Sequence, residues 1–318
     1  MQYTKLGRTG LNVCIAGLGG GGYSRLGQGY GADRADSVSV VKEAINLGVN
    51  FIDTAEAYGT EDIIGEAIAG QRDKVVISTK LNITPPGVSQ FGQDYVSADQ
   101  LTEKLENSLA RLKTDYVDIL HLHVVMPDQY EHCLQELVPV MLRFQEQGKI
   151  RFLGLTERFI KDMGHVMLAR AFEDECWDVY MPGFSILNPS ARDRVLVPSI
   201  EKDIGILNMY AVRRVLKNQK ELSDIVAGLI DEGHIDASTC DPEDPIGFLV
   251  ESGDASSIIE ACYRFCRHEP GVDVVLTGTG SIDHLHQNLA AIEMGPLSDD
   301  NLKKLNKIFG RVDSVSGN

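Results

Sequence analysis

The 318-residue sequence has only six cysteines, and none of them forms a Cys-x-x-Cys pair. They are Cys14, Cys133, Cys176, Cys240, Cys262 and Cys266. The last two are four residues apart, a spacing that places them on one face of a helix. We therefore expect reduced cysteines in the core, which excludes a disulfide scaffold and a cysteine-based metal site.

Positive charge and long apolar runs are also scarce. The chain has 30 basic and 46 acidic residues, which give a net charge of −16. Such a chain should repel phosphate backbones and anionic lipid, so we expect neither nucleic acid nor a membrane surface as a partner. No apolar run reaches the roughly 20 residues that cross a bilayer. The opening Met1-Gln-Tyr-Thr-Lys-Leu-Gly7 lacks the apolar segment of a signal peptide, and we expect a cytoplasmic protein.

Strand-like and helix-like segments alternate along the chain. Eight short apolar stretches, typical of buried parallel strands, lie at 13–18, 50–53, 75–80, 116–122, 151–155, 179–184, 205–210 and 273–277. Helical patterns lie at 36–48, 98–112, 130–147, 160–172, 255–267 and 281–293. Because no repeat or Gly/Ser linker interrupts this alternation, it predicts an α/β fold, a single (β/α)8 TIM barrel domain over residues 1–318.

Two segments depart from the alternation. Residues 2–13 contain Gly7-Arg-Thr-Gly10 and predict a β-hairpin before the first barrel strand. Residues 213–252 predict a long charged loop after strand 7, with a weak helix signal around 221–231. This loop would overhang the carboxyl ends of the strands, so it is interpreted either as a lid or substrate loop or as a solvated insertion.

Polar side chains stand at the ends of three neighbouring predicted strands. These are Asp53, Lys80 and His123, and Tyr58 begins the loop after the first of the three strands. In a parallel barrel such positions share one mouth, where catalytic groups lie. A buried Lys80 ammonium requires a carboxylate, and Asp53 is available on the adjacent strand. Each residue alone would be interpreted as structural, but together they indicate a tyrosine that protonates a carbonyl oxygen.

Two further motifs suggest other chemistry. The stretch Gly17-Leu-Gly-Gly-Gly-Gly22 satisfies the Gly-x-Gly-x-x-Gly nucleotide-binding pattern, but a loop follows it instead of a helix. Its glycines either let a ligand approach the backbone or form a plain flexible turn. His121 and His123 point to one strand face, as in metal-dependent barrel hydrolases. No histidine ends a later strand, so we expect no metal and keep that hydrolase as an alternative.

At these residues the chain resembles the aldo-keto reductase family. The matching segments, in family order, are Leu6-Gly-Arg-Thr-Gly10, Gly17-Leu-Gly19, Phe51-Ile-Asp-Thr-Ala-x-x-Tyr58-Gly59, Ser78-Thr-Lys80, Asp115-Tyr-Val-Asp-Ile-Leu-His-Leu-His123, Gly148-Lys-Ile-Arg-x-x-Gly-Leu-Thr156 and Leu276-Thr-Gly-Thr-Gly280 with Asn288. The resemblance implies an oxidoreductase that transfers a hydride between NADPH or NADH and an aldehyde, ketone or sugar. It makes Tyr58 the general acid and base, Lys80 and Asp53 its tuning pair, and His123 the donor that orients the carbonyl. The segment 119–123 further resembles the sugar-dehydrogenase branch.

The resemblance also implies a cofactor site. It places the dinucleotide against Gly19, Gly20, Gly21, Asp53, Thr156, Met181, Met209, Tyr210, Arg213, Gly278, Thr279, Gly280, Ser281, His284 and Asn288. The chain departs from the family at Thr156-Glu157, where Ser-Asn is usual, at Met181 in place of glutamine, and at Met209 in place of a stacking tyrosine. Without a Lys or Arg after the last strand, NADPH is only slightly favoured over NADH. These departures argue for a non-enzyme alternative, a regulatory subunit that binds nucleotide without turnover, whereas the complete set of Asp53, Tyr58, Lys80 and His123 argues against it.

The residue types suit acid–base chemistry. A free tyrosine has a pKa of about 10, which burial raises and a nearby ammonium lowers. We expect the charge of Lys80 to lower the pKa of Tyr58, which would make the phenol a better proton donor to the alkoxide. In the reverse direction the phenolate would accept the alcohol proton.

Overall fold

The computed structural model describes residues 1–90 and 92–318. Its strands are β1 (Tyr3–Lys5), β2 (Asn12–Cys14), β3 (Ala16–Gly19), β4 (Phe51–Asp53), β5 (Val76–Asn82), β6 (Val117–Val125), β7 (Ile150–Glu157), β8 (Val179–Met181), β9 (Gly205–Asn208) and β10 (Val274–Thr277). Strands β3 to β10 are parallel and close into one barrel in chain order, with β10 against β3. The predicted (β/α)8 barrel is confirmed.

The predicted N-terminal hairpin is also confirmed. Strand β1 pairs antiparallel with β2, and Tyr3 lies opposite Cys14. Leu6, Leu11 and Val13 are buried and pack with the side chains inside the barrel, so the hairpin forms its floor. The prediction of one strand over 13–18 is wrong, because β2 and β3 are separate strands. Both are apolar and only Ile15 separates them, so their hydrophobic patterns run together.

The helices surround the barrel. They are α1 (Arg34–Asn46), α2 (Glu61–Ala67), α3 (Ala98–Leu112), α4 (Tyr130–His132), α5 (Val138–Glu146), α6 (Val166–Ala171), α7 (Val197–Lys202), α8 (Gln219–Asp231), α9 (Phe248–Glu251), α10 (Ile258–Arg267), α11 (Ile282–Glu293) and α12 (Asp299–Phe309). The predicted limits of α3 are confirmed, since Ser97 and Gln100 form a capping box that satisfies the first amides. Within the described residues, no helix is both long and apolar enough to span a membrane.

The helix predicted over 160–172 is too long. Helix α6 starts only at Val166, because the Asp162 carboxylate accepts hydrogen bonds from the amides of Val166 and Met167 at 2.9 and 2.8 Å. His165, just before the helix, has a left-handed backbone with φ of 60°. Hydrophobic periodicity continued through this turn and concealed the cap. Helices α2, α7, α9 and α12 lie outside the predicted set.

The segment 213–252 is more ordered than the predicted loop. It contains α8 and α9, and the Asn218 side chain caps α8 by accepting a hydrogen bond from the Glu221 amide at 3.3 Å. Leu222, Val226 and Leu229 are buried on one face of α8. The weak helix signal around 221–231 therefore marks a packed helix, and the irregular part is confined to its flanks.

The barrel register places the polar strand ends side by side. Asp53 on β4 lies opposite Ser78 on β5, and Asn82 on β5 lies opposite His123 on β6. Side chains of one strand alternate between the interior and the surrounding helices, so Ser78, Lys80 and Asn82 share one face. These residues form the wall of the barrel mouth from which the candidate site is built.

Candidate active site

A buried ion pair lies at the base of the site. The Lys80 ammonium donates to Asp53 Oδ2 at 2.5 Å and to the Thr54 carbonyl oxygen at 2.7 Å, and Lys80 is 1% exposed. Ser78 Oγ donates to the other Asp53 oxygen at 2.9 Å. Burial lowers the pKa of Lys80, but its interactions with Asp53 and Tyr58 together raise it by more, so the net direction of the pKa is upward. The site therefore contains a permanent cation fixed by a carboxylate.

Tyr58 lies above this pair, in a short 3-10 turn (Glu56–Tyr58) after β4. Its ring centre is 5.0 Å from Lys80 Nζ, and its hydroxyl oxygen is 3.4 Å from His123 Nε2. The two rings meet edge to face at a centroid distance of 5.6 Å. The structure thus brings Asp53, Tyr58, Lys80 and His123 together, as the sequence predicted.

The protonation states follow from burial and from Lys80. Burial raises the pKa of Tyr58 more than the charge and hydrogen bond of Lys80 lower it, so the net direction is upward. The expectation of a lowered pKa for Tyr58 is therefore wrong, although Lys80 acts in the expected direction. Burial, with the charges of Lys80 and Arg158, holds the pKa of His123 well below its usual value. The tyrosine is a phenol and the histidine a neutral imidazole near neutral pH.

His121 lies at the base of the site, within hydrogen-bonding distance of Ser78. Its Nε2 lies 3.1 Å from Ser78 Oγ, and burial holds the pKa of His121 well below its ordinary value. Its ring packs on Gly154, where an added Cβ would lie 2.2 Å from Nδ1. Among residues 1–90 and 92–318, no group of three or more histidine, cysteine or acidic side chains is arranged to hold a metal ion.

A chain of side chains leads away from His123. Its Nδ1 lies 3.0 Å from Asn82 Oδ1, and the same oxygen accepts a hydrogen bond from Gln90 Nε2 at 3.4 Å. The Arg158 guanidinium donates to the Gln90 side-chain oxygen. The buried Gln129 side chain donates to the backbone carbonyl oxygen of Gln90 at 2.9 Å and so fixes the position of Gln90. The imidazole is thus held from the side opposite Tyr58.

A cleft of about 320 Å³ adjoins Asn82. Its lining combines charged and polar side chains with prolines, and includes Glu56, Asn82, Pro85, Gln90 and Lys104. The Lys104 ammonium donates to Glu56 Oε1 at 2.7 Å, and the backbone amide of Asn82 donates to the same oxygen. The cleft therefore presents hydrogen-bonding groups beside Asn82, which contacts His123, but neither Tyr58 nor His123 lines it.

The glycines after β3 pack closely against the site. The Gly20 amide donates to the Asp53 carbonyl oxygen at 2.7 Å, and an added Cβ on Gly20 would lie 2.7 Å from Thr60 Oγ1. A Cβ on Gly21 would lie 2.5 Å from the Tyr58 ring. The absence of side chains at these two positions is thus required by the chain's own residues. Gly19 is the last residue of β3, and a Cβ there would meet only the Thr277 backbone, at 3.6 Å.

The predicted nicotinamide residues line the barrel interior. Thr156 Oγ1 accepts a hydrogen bond from the Val124 amide at 2.7 Å. Met181 and Met209 pack against the interior apolar cluster. Val124 has a φ of 54°, which is strained for a β-branched residue, at an irregularity where the register of β6 against β7 shifts. The interior thus offers one hydroxyl and two thioether side chains at this level.

Glu157 occupies a different environment from the asparagine it replaces. Its carboxylate oxygens both lie 2.9 Å from His165 Nδ1, and one accepts a hydrogen bond from the Gly183 amide at 2.8 Å. Both side chains are fully buried, and the Phe159 ring stacks on His165 at 5.3 Å. Burial raises the pKa of Glu157, opposed by His165. The pair joins the loop after β7 to the loop after β8.

Tyr210 is held between two other side chains. It has a φ of 71°, its ring meets Phe159 edge to face at 5.3 Å, and the Arg213 guanidinium lies 4.0 Å above it. Arg213 also contacts the Asn318 side chain and lies 5.7 Å from the Tyr23 ring. Met209, and not Tyr210, faces the barrel interior.

The remaining predicted cofactor residues follow β10. A Cβ on Gly278 would lie 3.4 Å from the Gly19 carbonyl oxygen, and one on Gly280 would lie 2.2 Å from Gly27 Cα, so the loop after β3 covers this turn. Thr279 Oγ1 accepts a hydrogen bond from the Ser281 amide at 3.0 Å.

Helix α11 begins directly after this turn. Ser281 caps it through the His284 amide, and the His284 side chain is exposed. Asn288 Nδ2 donates to Thr277 Oγ1 at 2.9 Å. His284 and Asn288 therefore lie on the first turns of one helix, at the same end of the barrel.

Sequence reasoning missed three contributors to the site: Asn82, Gln90 and the Glu157–His165 pair. Asn82 was detectable, because it lies two residues after Lys80 on the same strand and so on the same face. Gln90 lies in a loop, and no periodic signal indicates that its side chain turns towards His123.

Comparison with known proteins identifies the family. The model of the aldo/keto reductase family matches residues 17–309, and the chain belongs to this family. The chain is 26% identical over 322 residues to the aldo-keto reductase YhdN of Bacillus subtilis (strain 168), covering 97% of this chain and 94% of that protein. It is 35% identical over 163 residues to L-galactose dehydrogenase of Arabidopsis thaliana, covering 49% and 48% of the two chains.

A solved structure supports the fold. The holo form of aldo-keto reductase AKR11C1 from Bacillus halodurans superposes with a TM-score of 0.72 at 21% identity, covering 96% of each chain. Its membership of the aldo/keto reductase family makes the chain an oxidoreductase of a family that uses nicotinamide cofactors and small carbonyl substrates.

Proposed function

We propose that this protein is an NAD(P)-dependent oxidoreductase that interconverts a carbonyl group and a secondary alcohol, with a sugar as substrate. The observation that carries the proposal is the contact of Tyr58 with the buried Lys80–Asp53 pair on one side and with His123 on the other. Such a tyrosine is positioned between a fixed cation and a neutral imidazole, at the mouth where chemistry occurs in parallel barrels.

Residues of the barrel interior fit a nicotinamide cofactor. Met181 and Met209 offer apolar thioether surface for the face of a ring, and Thr156 offers a hydroxyl for the carboxamide. When bound, the cofactor supplies or accepts the hydride. Glu157 lies in its own buried pair with His165, so we do not give it the carboxamide role of the usual asparagine.

The residues of the chain supply the proton. The Tyr58 hydroxyl transfers its proton to the substrate oxygen as negative charge develops there. The Lys80 ammonium stabilises the phenolate left behind, and Asp53 holds the ammonium in place. In the oxidative direction the same phenolate accepts the alcohol proton, so the rate of oxidation should rise with pH as Tyr58 ionises.

A sugar substrate is supported by two observations. The chain is 35% identical over 163 residues to a relative named L-galactose dehydrogenase, a match that covers about half of each chain. The cleft beside Asn82 is lined by charged and amide side chains, which suit a polyhydroxylated molecule better than an apolar aldehyde. Both point to hexose-sized alcohols and lactols.

The test is a steady-state assay of hexoses and deoxyhexoses with NAD⁺ and NADP⁺, and of simple aldehydes with the reduced cofactors. The expected result is that at least one sugar is oxidised with a kcat/KM higher than the kcat/KM for the reduction of any apolar aldehyde. Turnover of apolar aldehydes alone would contradict the sugar class. Cofactor binding in calorimetry without turnover of any substrate would instead favour a regulatory subunit.

Cofactor choice provides a second test at His284. His284→Arg should tighten NADPH binding, because a guanidinium makes a bidentate contact with the 2′-phosphate, and should leave NADH binding nearly unchanged. Fluorescence titration of both cofactors measures this. The matched control is His286→Arg, two residues later on α11, where the side chain contacts Glu43 at 3.0 Å. If NADPH binds more tightly to both variants by the same factor, the effect of the added charge is general. That result would contradict the placement of the adenosine end of the cofactor beside His284.

A further inference from the structure

The turn that carries Tyr58 is a short loop whose base is closed by two threonines. Thr54 Oγ1 lies 2.9 Å from Thr60 Oγ1, and the Lys80 ammonium donates to the Thr54 carbonyl oxygen at 2.7 Å. Inside the loop, the Tyr58 amide donates to the Ala55 carbonyl oxygen at 3.0 Å. These contacts fix where the loop leaves and rejoins the barrel. They do not connect the middle of the loop to any neighbouring element.

Glu56 provides that connection through one oxygen atom. Apart from Tyr58, it is the only residue between the two threonines with a polar side chain. Glu56 Oε1 accepts hydrogen bonds at 2.7 Å from the backbone amide of Asn82, at the end of β5, and from the Lys104 ammonium on α3. The side chains of Glu56 and Lys104 are each only 13% exposed. Because hydrogen bonds to ionised groups are the stronger ones, this carboxylate holds the turn against both the strand and the helix.

Asn82 extends the connection to the other side of the site. Its backbone amide donates to Glu56, and its side-chain oxygen lies 3.0 Å from His123 Nδ1. Lys80 lies two residues earlier on the same strand. The three groups that surround the Tyr58 hydroxyl and ring are therefore referred to one strand, β5. A shift of the Glu56 carboxylate would move Tyr58 relative to Lys80 and His123 while leaving those two side chains in place.

We propose that Glu56 is a positioning residue for Tyr58, and that Lys104 on the surrounding helix α3 orients its carboxylate. The inference rests on the proposed role of Tyr58 as general acid and deepens it. Proton transfer requires the hydroxyl to be placed accurately, and a displacement of about 1 Å can cost on the order of 10²-fold in rate. The Glu56–Lys104 pair therefore contributes to kcat through the placement of Tyr58.

The first experiment separates placement from substrate binding, because Glu56 and Lys104 also line the cleft beside Asn82. Steady-state rates are measured with 4-nitrobenzaldehyde and NADPH, and with the hexose that gives the highest kcat/KM with NAD⁺ or NADP⁺. Glu56→Leu should lower kcat roughly 10–100-fold and leave KM nearly unchanged. A raised KM with an unchanged kcat would make Glu56 a substrate-binding group and overturn the proposal.

Two further variants test the contacts of the carboxylate. Glu56→Gln keeps an oxygen that can accept from Asn82 and Lys104, so it should recover most of the lost kcat. Lys104→Met removes one of the two donors to Glu56 Oε1 and should lose less kcat than Glu56→Leu. The matched control is Lys149→Met, because Lys149 donates to Glu106, also on α3, at 2.5 Å. It should keep the original kcat, and a loss equal to that of Lys104→Met would overturn the specific role of the Glu56–Lys104 pair.

A double variant shows whether Glu56 acts through Tyr58. Once the Tyr58 hydroxyl is absent, its placement no longer affects the rate. Glu56→Leu/Tyr58→Phe should therefore have the kcat of Tyr58→Phe to within about twofold, although the two single losses would multiply if the residues acted independently. A multiplied loss in the double variant would overturn the proposal.

A measurement without turnover keeps the test independent of the substrate. In the substrate-free full chain, with protonated tyrosine and histidine in a deuterated background, the nuclear Overhauser effect between the rings of Tyr58 and His123 reports their separation, which is 5.6 Å between centroids. The signals are assigned with Tyr58→Phe and His123→Gln. The effect should weaken in Glu56→Leu and persist in Glu56→Gln and Lys149→Met. Undiminished intensity in Glu56→Leu would overturn the proposal whether or not any sugar is oxidised.

Discussion

Tyr58→Phe is expected to lower kcat by roughly 10²–10⁴-fold, the contribution of a positioned general acid. The substitution removes one oxygen and keeps the ring that packs against Gly21 and His123. Cofactor affinity should therefore stay close to that of the unsubstituted enzyme, since the phenol acts on the substrate oxygen. Single-turnover rates and cofactor titrations measure the two quantities separately.

A matched control is Tyr130→Phe. Tyr130 is buried, and its hydroxyl donates to Asp174 at 2.7 Å and accepts from Trp177 at 3.0 Å, away from the mouth of the barrel. This variant should lose stability and keep its kcat. Retention of the original kcat in Tyr58→Phe would remove the general-acid assignment, and an equal loss in both variants would point to a structural cause.

Lys80→Met is expected to destabilise the fold by roughly 3–5 kcal/mol, the cost of leaving a buried charge without its partner. Asp53 would lose its 2.5 Å contact while it remains 4% exposed. Denaturant unfolding measures the loss. The double variant Asp53→Asn/Lys80→Met removes the charge as well, so it should recover much of the stability; a double variant as unstable as the single one would show that charge pairing is not the cause.

The same substitution should move the pH dependence of oxidation. The charge of Lys80 lowers the pKa of Tyr58 and burial raises it, so removal of the cation leaves the burial contribution unopposed. The pKa of Tyr58 therefore rises further, and the alkaline limb of the oxidation profile should shift to higher pH. A pH–rate profile identical to that of the unsubstituted enzyme would show that Lys80 does not tune Tyr58.

The barrel was predictable because its signals are local and repeated. Parallel strands buried on both faces leave short apolar runs, and α3 carries its own cap at Ser97. Two errors arose where hydrophobic periodicity does not reveal the end of an element. The Asp162 carboxylate caps α6, so that this helix starts later than the pattern predicts. The single residue Ile15 separates two apolar strands that the pattern joins.

The candidate site was predictable to the extent that it lies on strands. Asp53, Lys80 and His123 are fixed by register, so their neighbourhood follows from strand order and alternation. The direction of the pKa shift of Tyr58 could not be predicted from the sequence. It depends on the balance between burial and the charge of Lys80, and burial is a property of the assembled fold. Glu157 was recognised as unusual, but its partner His165 lies across a loop that no pattern describes.

The hairpin that forms the floor of the barrel has a consequence for how this enzyme can diverge. Leu6 is buried beside Gly205, where a Cβ would lie 2.7 Å from the Leu6 side chain, so the hairpin is tightly packed at the end of the barrel remote from Tyr58. The loops around Gln90 and after Arg213 belong to the other end, and their substitution leaves this apolar floor untouched. A lineage of such barrels can therefore exchange one substrate for another through loop changes while the scaffold that carries the acid–base pair is inherited intact.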